Sequence, residues 1–141
     1  MYNIERFIEA QDKVYNKVIE ELKNGKKRTH WMWYIFPQFK ALGSSDISIY
    51  FGIKSILEAK CYINNEILRN RYLECCNILL SLENDDIEEI LGEIDSLKLR
   101  SSLTLFKFVD KDNEILYQEL LNKYYNGDDC QLTHQVIRRE L

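Results

Sequence analysis

Residues 3–24 read NIERFIEAQDKVYNKVIEELKN, and their apolar side chains recur at the spacing of an amphipathic helix. Residues three and four positions apart lie on the same face of a helix, so these side chains form one stripe. The stripe contains Ile4, Phe7, Ile8, Val14, Tyr15, Val18, Ile19 and Leu22. Asn3 is a candidate N-cap and Gly25 a candidate stop. The stretch therefore predicts one long helix that packs against a core.

Similar patterns predict helices along the rest of the chain. They cover residues 46–63 after a cap at Ser45, 66–83, a short helix after the capping spacing Asp85-x-x-Glu88, 95–109, 114–126 and part of the tail 128–141. Gly92 and Gly127 are placed to end helices. We predict an all-α fold, a compact single-domain bundle of about six to seven helices over residues 1–141.

Composition limits the classes of function. A chain of 141 residues can bury an adequate core without a metal or a disulfide as a staple. Its net charge of −4 argues against nucleic acid as a partner, because neutralising phosphates dominates that affinity. No apolar run approaches the ~18 residues of a membrane-spanning helix. The start of the chain lacks the apolar stretch of a signal peptide. We expect a cytoplasmic protein without a membrane partner, and composition does not set its oligomeric state.

Four cysteines are present, Cys61, Cys75, Cys76 and Cys130. None of the cysteines has the Cys-x-x-Cys spacing of a zinc site, and the two histidines are far from each other in the sequence. We therefore predict no metal and no cofactor, with reduced thiols. Cys75 and Cys76 lie within a helical apolar pattern, where cysteine usually serves as a small buried hydrophobic residue.

The most unusual segment is residues 31–39, which read WMWYIFPQF and contain both tryptophans of the chain, Trp31 and Trp33. Periodicity does not distinguish a buried strand from a short buried helix here, and Pro37 marks a break. The aromatic residues can be core, since such side chains dominate burial energy. They can also form a surface on which a planar ligand stacks. Lys27, within a run of three cations, and Gln38 supply the charge and the amide that an anionic ligand of this kind needs.

Two further polar residues stand out near apolar patterns. His30 adjoins the aromatic segment and is the candidate catalytic acid–base group, although no nucleophile of recognisable spacing accompanies it. Gln11 falls on the apolar stripe of the first helix, where its amide must find a partner once buried. It is either a structural hydrogen-bonding residue or part of a pocket wall.

A second polar cluster occupies residues 95–104, DSLKLRSSLT. On a helix, Asp95 and Lys98 form an ion pair three residues apart. Ser102 and Thr104 are poor helix-interior residues unless their hydroxyls bond the backbone or a ligand. Arg71, on the helix over 66–83, is either a surface residue or the source of a two-pronged contact to an anion.

The chain closely resembles the bacterial family of small proteins known as domain of unknown function 1810. The resemblance rests on His30 to Gln38, with Leu42, Gly43 and Ser45, and on the later stretch 98–106, KLRSSLTLF. It implies a small all-α domain and no particular reaction. The chain departs from the family pattern at Ala41, where many relatives have glycine, and at Cys130, where an acid is expected before Thr133.

We predict a pocket protein that binds or acts on a small anionic planar metabolite, such as a nucleotide or an ADP-ribose derivative. The alternative is a non-catalytic protein-binding module with the aromatic segment as its core. The predicted ligand contacts are Gln11, Lys27, Trp31, Trp33, Gln38, Arg71, Asp95, Lys98, Ser102 and Thr104, with His30 as the catalytic group. An enzyme requires His30, Gln11, Gln38 and Lys98 to converge on one concave site. The two motif segments, about seventy residues apart, should therefore meet in space.

Overall fold

Within residues 2–141, which the computed structural model describes, the chain forms ten α-helices and two short 3-10 helices, at Lys40–Leu42 and Lys111–Asn113. The α-helices are α1 Glu5–Asp12, α2 Tyr15–Lys23, α3 Met32–Ile35, α4 Asp46–Tyr50, α5 Ile56–Asn64, α6 Glu66–Ser81, α7 Ile87–Leu91, α8 Glu93–Val109, α9 Glu114–Tyr125 and α10 Gln131–Glu140. The predicted all-α class is confirmed. The predicted number of six to seven helices is wrong, because two of the predicted helices are each divided and the aromatic segment forms a helix of its own.

The long helix predicted over residues 3–24 is divided at Lys13 and Val14. Val14 has φ −134° and ψ −2°, outside the helical region, and its N–H bonds to the Gln11 carbonyl at 3.0 Å in a turn. Both helices turn their apolar faces to the same core, so the stripe of apolar residues continues across the break. The predicted N-cap is also wrong, because Ile4 rather than Asn3 precedes the first helical residue.

The helix predicted over residues 46–63 is interrupted by a short backbone pairing. Phe39 and Ile53 form a parallel bridge, in which the Lys40 N–H bonds to the Ile53 carbonyl at 2.8 Å. The Ile53 N–H bonds to the Gln38 carbonyl at 2.9 Å. Gly52 permits this close approach, since a Cβ there would lie 2.4 Å from the Lys40 Cα. The pairing takes these residues out of helical geometry and separates α4 from α5.

Side-chain caps begin several of the helices. Ser45 caps α4 as predicted, accepting the Ser48 N–H at 3.2 Å. Ahead of α7, Asp86 rather than the predicted Asp85 is the capping residue, and it accepts the N–H groups of Glu88 and Glu89.

One hydrophobic core extends from Phe7 to Ile137 and draws on most of the helices. At its centre the rings of Tyr72 and Phe106 lie 4.6 Å apart between centroids, and Tyr62 packs on both. Cys75 and Cys76 are fully buried, which confirms their predicted place in the core. The central helix α8 packs against α5, α7, α9 and α10, so its position is fixed from several sides.

A buried ion pair joins α1 to the first turn of α5. The Arg6 Nη1 atom lies 2.8 Å from Glu58 Oε2, and both side chains are almost fully buried. Arg6 also donates to the carbonyls of Tyr50 and Gly52, while Glu58 accepts the Lys54 N–H at 2.7 Å. Buried charges of this kind need several hydrogen bonds to offset their desolvation, and here they hold the interrupted α4–α5 region against α1.

The two tryptophans differ in burial, and their substitutions should differ in cost. Trp31 is 0% exposed, whereas Trp33 is only partly buried. We expect Trp31→Ala to lower the free energy of unfolding by about 3–5 kcal/mol, since it removes a large buried side chain. Trp33→Ala should cost about 1–2 kcal/mol, because less of its surface is buried. Urea unfolding measures both, and equal costs for the two variants would contradict this division.

Candidate functional site

The loop between α2 and α3 is organised by the carboxylate of Glu21. Its Oε1 atom accepts the N–H groups of Arg28 at 2.7 Å and Thr29 at 3.1 Å, and the Trp31 indole N–H at 2.9 Å. The Oε2 atom accepts the Thr29 hydroxyl at 2.6 Å. Four donors from residues 28–31 therefore meet one side chain of α2, and this contact fixes where the loop turns.

Glu21 is only 5% exposed, and burial by itself would raise the pKa of its carboxyl group. The hydrogen bonds from Thr29, Arg28 and Trp31 outweigh that effect and lower the pKa to about 2. The group is therefore charged at neutral pH, as its four donors require.

The same loop is also attached to α7. The Lys27 N–H bonds to the Ile90 carbonyl at 2.8 Å, and the Lys26 ammonium reaches the Glu89 carbonyl at 3.3 Å. These contacts bring the loop beside the junction of α7 and α8, where Gly92 separates the two helices with φ 92°. A left-handed φ of this size is readily adopted only by glycine.

A cleft of about 500 Å³ lies between the loop and the start of α8. It is lined by Lys27, His30, Trp33, Leu91, Gly92, Glu93, Ile94, Asp95 and Lys98. His30 and Trp33 come from the first motif, whereas Asp95 and Lys98 come from the polar cluster over residues 95–104. The two segments thus meet in space, as predicted.

Asp95 connects the two lysines of the cleft. Its Oδ2 atom lies 2.9 Å from the Lys27 ammonium, and its Oδ1 atom lies 3.8 Å from that of Lys98. The Lys27 side chain is 8% exposed and also lies over the Trp31 ring at 5.0 Å. Lys98 is more exposed, is held at the longer distance, and lies over the Trp33 ring at 5.2 Å. Lys27 is therefore the more tightly held of the two cations, and Lys98 is the more loosely held and more exposed one.

The first turn of α8 faces this cleft. No other part of the described chain, residues 2–141, accepts the N–H groups of Glu93, Ile94 or Asp95 in a hydrogen bond. The start of a helix carries partial positive charge and exposed donors, which is the arrangement that binds anions in many proteins. Lys98 adds a full charge close to these donors.

Gln38 is not among the residues that line this cleft. It lines a separate, much smaller cavity together with Ser48, Phe51 and Gly52, and that cavity shares Trp33 and Lys98 with the cleft. The predicted contacts Lys27, His30, Trp33, Asp95 and Lys98 therefore share one cleft, and Gln38 adjoins it. Whether they bind a ligand stays a prediction.

Gln11 and Arg71 lie elsewhere, which corrects the predicted convergence of Gln11 on the site of His30. Gln11 is buried, and its Nε2 donates to the Tyr34 carbonyl at 2.7 Å and to the Tyr62 hydroxyl at 3.1 Å. Arg71 donates to Gln11 Oε1 at 3.3 Å and pairs with Asp12 at 2.7 Å. These bonds connect α6 to the end of α1, next to the break before α2. Both residues therefore stabilise the packing at the edge of the core.

The hydroxyls of the second motif are also used internally. Ser102 Oγ and the Tyr72 hydroxyl are 2.7 Å apart in the core. Thr104 Oγ1 donates to the Arg100 carbonyl at 2.8 Å and accepts the Cys130 N–H at 2.9 Å, which positions the start of α10. Trp31 is likewise core, with its N–H bound by Glu21. We therefore correct the prediction that Trp31, Ser102 and Thr104 contact a ligand, because their polar atoms already have protein partners.

Three features of the cleft were missed by sequence reasoning. Glu21 follows another acid, Glu20, in the pattern of α2, and nothing in that spacing separates it from a solvated acid. Gly92 was interpreted only as a helix stop, although α8 begins at the next residue. The Ile94 side chain is exposed at the rim of the cleft. The one usable signal in the sequence was that Ile94 breaks the periodicity of the core residues.

Across residues 2–141, no group of three or more His, Cys, Asp or Glu side chains is arranged to hold a metal ion. The same part of the chain contains no helix long and apolar enough to cross a membrane.

Fold and cleft together define a small all-α protein with a polar cleft at one helix start, lined by two lysines and two acids. The chain belongs to the family described as protein of unknown function DUF1810, whose model matches residues 1–137. A solved relative has the same fold: the conserved hypothetical protein Rv1873 from Mycobacterium tuberculosis is 41% identical, with 96% of each chain covered and a TM-score of 0.93. No curated protein matches the chain.

The low pKa of Glu21 makes its contribution to stability pH-dependent. Because the pKa falls from its usual 4.5 to about 2 on folding, the contribution is complete above pH 4.5 and is lost as the pH falls from 4.5 towards 2. Glu21→Gln should lower the free energy of unfolding at pH 7 by about 1–3 kcal/mol, since an amide cannot satisfy four donors. The difference between the two proteins in urea unfolding should shrink below pH 4.5. A difference that stays constant from pH 7 to pH 3 would contradict the assigned role of Glu21.

Proposed function

We propose that the protein binds a small anionic planar metabolite, of the nucleotide or ADP-ribose class, in the cleft between the α2–α3 loop and the start of α8. One observation carries this proposal. Two sequence-distant segments place a histidine, a partly exposed tryptophan and a partly exposed lysine around one concavity, at a helix start whose donors lack partners within the described residues.

The anionic part of the ligand is assigned to the start of α8. The N–H groups of Glu93, Ile94 and Asp95 suit a phosphate or carboxylate oxygen, and the helix dipole favours negative charge there. Lys98 can leave its long 3.8 Å contact with Asp95 to approach the ligand, whereas Lys27 keeps Asp95 neutralised at 2.9 Å. Because Lys27 neutralises Asp95, the Asp95 carboxylate repels an incoming anion less than an unpaired carboxylate would.

The planar part is assigned to the accessible face of Trp33. Stacking of a base on an aromatic side chain contributes about 1–3 kcal/mol and tolerates different bases. Lys98 already lies over this ring in a cation–π contact. A stacked anionic ligand would replace that contact with one between its own ring and Trp33, and would form an ion pair with Lys98. Trp33 is the only tryptophan of the pair whose ring is open to such a ligand, since Trp31 is fully buried.

His30 is the proposed acid–base group. It is exposed at the rim of the cleft, on the loop held by Glu21. An imidazole can accept or donate a proton at a leaving group near neutral pH. Binding is the primary proposal. Of the four residues whose convergence an enzyme requires, only His30 and Lys98 line the cleft, so proton transfer by His30 is a secondary proposal.

A second candidate is a protein-binding module. Ile47, Ile49, Tyr50 and Leu57 are exposed apolar side chains on α4 and α5, and most of the aromatic segment is core, as that alternative requires. This surface lies outside the residues that line the cleft, so variants of the cleft separate the two candidates.

A thermal-shift titration tests the proposal. A ligand present at 100 times its Kd stabilises the folded protein by about 2.7 kcal/mol. We expect ADP-ribose or a nucleoside monophosphate to raise the Tm of the wild-type protein. Lys98→Ala should weaken the affinity roughly 10- to 100-fold, through loss of a charge-assisted contact.

His30→Ala should leave the unliganded Tm unchanged and reduce the ligand-induced shift. The matched control is Lys60→Ala, which removes an exposed cation of α5 away from the cleft. Ligand-induced shifts that are equal in Lys98→Ala, His30→Ala and Lys60→Ala would contradict the proposed site.

A further inference from the structure

Cys130 immediately precedes α10, at the point where this helix packs against α8. All four cysteines are free thiols, but their surroundings differ. Cys75 and Cys76 are completely buried in the core, and burial raises the pKa of both thiols. Cys130 is 6% exposed, and hydroxyl and N–H groups surround its sulfur atom. Its environment is therefore polar, unlike that of the two core cysteines.

Two hydroxyl groups of α8 hold Cys130 in place. The Thr104 hydroxyl accepts the Cys130 N–H at 2.9 Å. The Ser101 hydroxyl lies 3.2 Å from the Cys130 sulfur and donates to it, with the Leu97 carbonyl as its other acceptor at the same distance. The sulfur is thus fixed beside a hydroxyl donor on a helix that the core holds from several sides.

The first turn of α10 adds further donors around the sulfur. Burial by itself would raise the pKa of the Cys130 thiol. The Ser101 and Thr133 hydroxyls and the N–H groups of Thr133 and Leu132 outweigh burial and lower the pKa below its usual value. The partial positive charge at a helix start acts in the same direction. The thiolate is the reactive form of cysteine, and helix N-termini are among the places that favour it.

The acid next to Cys130 is paired with other groups. Asp129 Oδ1 lies 2.6 Å from the Lys107 ammonium, and Asp129 Oδ2 lies 2.8 Å from the His134 ring nitrogen. An unpaired carboxylate at this position would oppose a second negative charge on the neighbouring sulfur. Because Lys107 offsets the charge of Asp129, a thiolate at Cys130 meets less repulsion.

The Thr133 hydroxyl lies beside this sulfur without a partner of its own. Thr133 is 1% exposed, and its oxygen makes no hydrogen bond of normal geometry to any atom of residues 2–141. Buried hydroxyls normally have a partner. The Thr133 hydroxyl is directed towards Cys130, since it favours the thiolate there. An oxygen atom bonded to the sulfur would give this hydroxyl the acceptor that it lacks.

We propose that Cys130 is a site of oxidation by hydrogen peroxide, and that the Thr133 hydroxyl donates to the oxygen of the resulting sulfenic acid. The Cys130 thiolate attacks one peroxide oxygen, so that the S–O bond forms while the O–O bond breaks. The departing hydroxide takes a proton from the solvent and becomes water. The sulfur loses two electrons and the peroxide gains them, which is the first step of cysteine oxidation.

This site is independent of the proposed ligand cleft. Cys130, Ser101 and Thr133 are not among the residues that line that cleft. A failure of either proposal therefore leaves the other unchanged.

Peroxide treatment of the folded protein tests the inference. After exposure to hydrogen peroxide at neutral pH, catalase removes the oxidant, and the chain is unfolded in urea that contains dimedone, which traps sulfenic acids. Mass spectrometry of the digested protein then locates the adduct. We expect Cys130 to be labelled several-fold faster than Cys61, although Cys61 is more exposed, and Cys75 and Cys76 to stay unlabelled. Labelling of Cys61 without labelling of Cys130 would overturn the proposal.

Hydroxyl-deletion variants test the assigned contacts. Thr133→Val should slow labelling of Cys130 several-fold and keep the wild-type Tm, because its hydroxyl has no partner to lose within the described chain. Ser101→Ala should also slow the labelling, and it provides the test if Thr133→Val does not fold. The matched control is Ser96→Ala, which removes an α8 hydroxyl bonded to the Glu93 carbonyl and should leave the rate unchanged. Equal labelling rates in all three variants would contradict the proposed site.

Discussion

The carboxylate of Glu21 accepts four hydrogen bonds from residues 28–31, and the position of the cleft depends on this contact. A loop of this composition, rich in cations, has little apolar surface to hold it against the core. The buried acid supplies the attachment, and the bond from the Lys27 N–H to Ile90 directs the loop towards α7 and α8. Without the acid, the Trp31 N–H would be buried without a partner, at a cost of about 1–3 kcal/mol.

Around this contact, two residues of the same type differ in burial and in how tightly they are held. Trp31 is core and is bonded by Glu21, whereas Trp33, two residues later, is partly open to the cleft. Lys27 is nearly buried against Asp95, whereas Lys98 is held more loosely by the same carboxylate. Each pair has one member that fixes the geometry and one that is available to a ligand. This pairing of a rigid contact with an adaptable one is what a preorganised binding site requires.

Much of the fold could be predicted from sequence, because α6, α8 and α9 carry long uninterrupted patterns with caps or glycines at their ends. The breaks at Val14 and near Gly52 could not, since both follow from backbone contacts that leave the apolar periodicity unchanged. At the site, the meeting of the two motifs was predictable because each places polar residues among hydrophobic ones. The same reasoning failed for Gln11, Ser102 and Thr104, whose polar atoms bond the protein itself. Periodicity does not separate these two uses of a polar residue.

The central claim is that one cleft, bounded by Trp33 and the first turn of α8, binds the anionic planar ligand. Its most direct test is an NMR titration of the ¹⁵N-labelled protein with ADP-ribose. We expect the Trp33 indole N–H and the amides of Glu93, Ile94 and Asp95 to shift together with a single Kd, while the Trp31 indole N–H, bonded to Glu21, stays in place. Shifts confined to α4 and α5, or a titration that leaves Trp33 and the start of α8 unchanged, would contradict it.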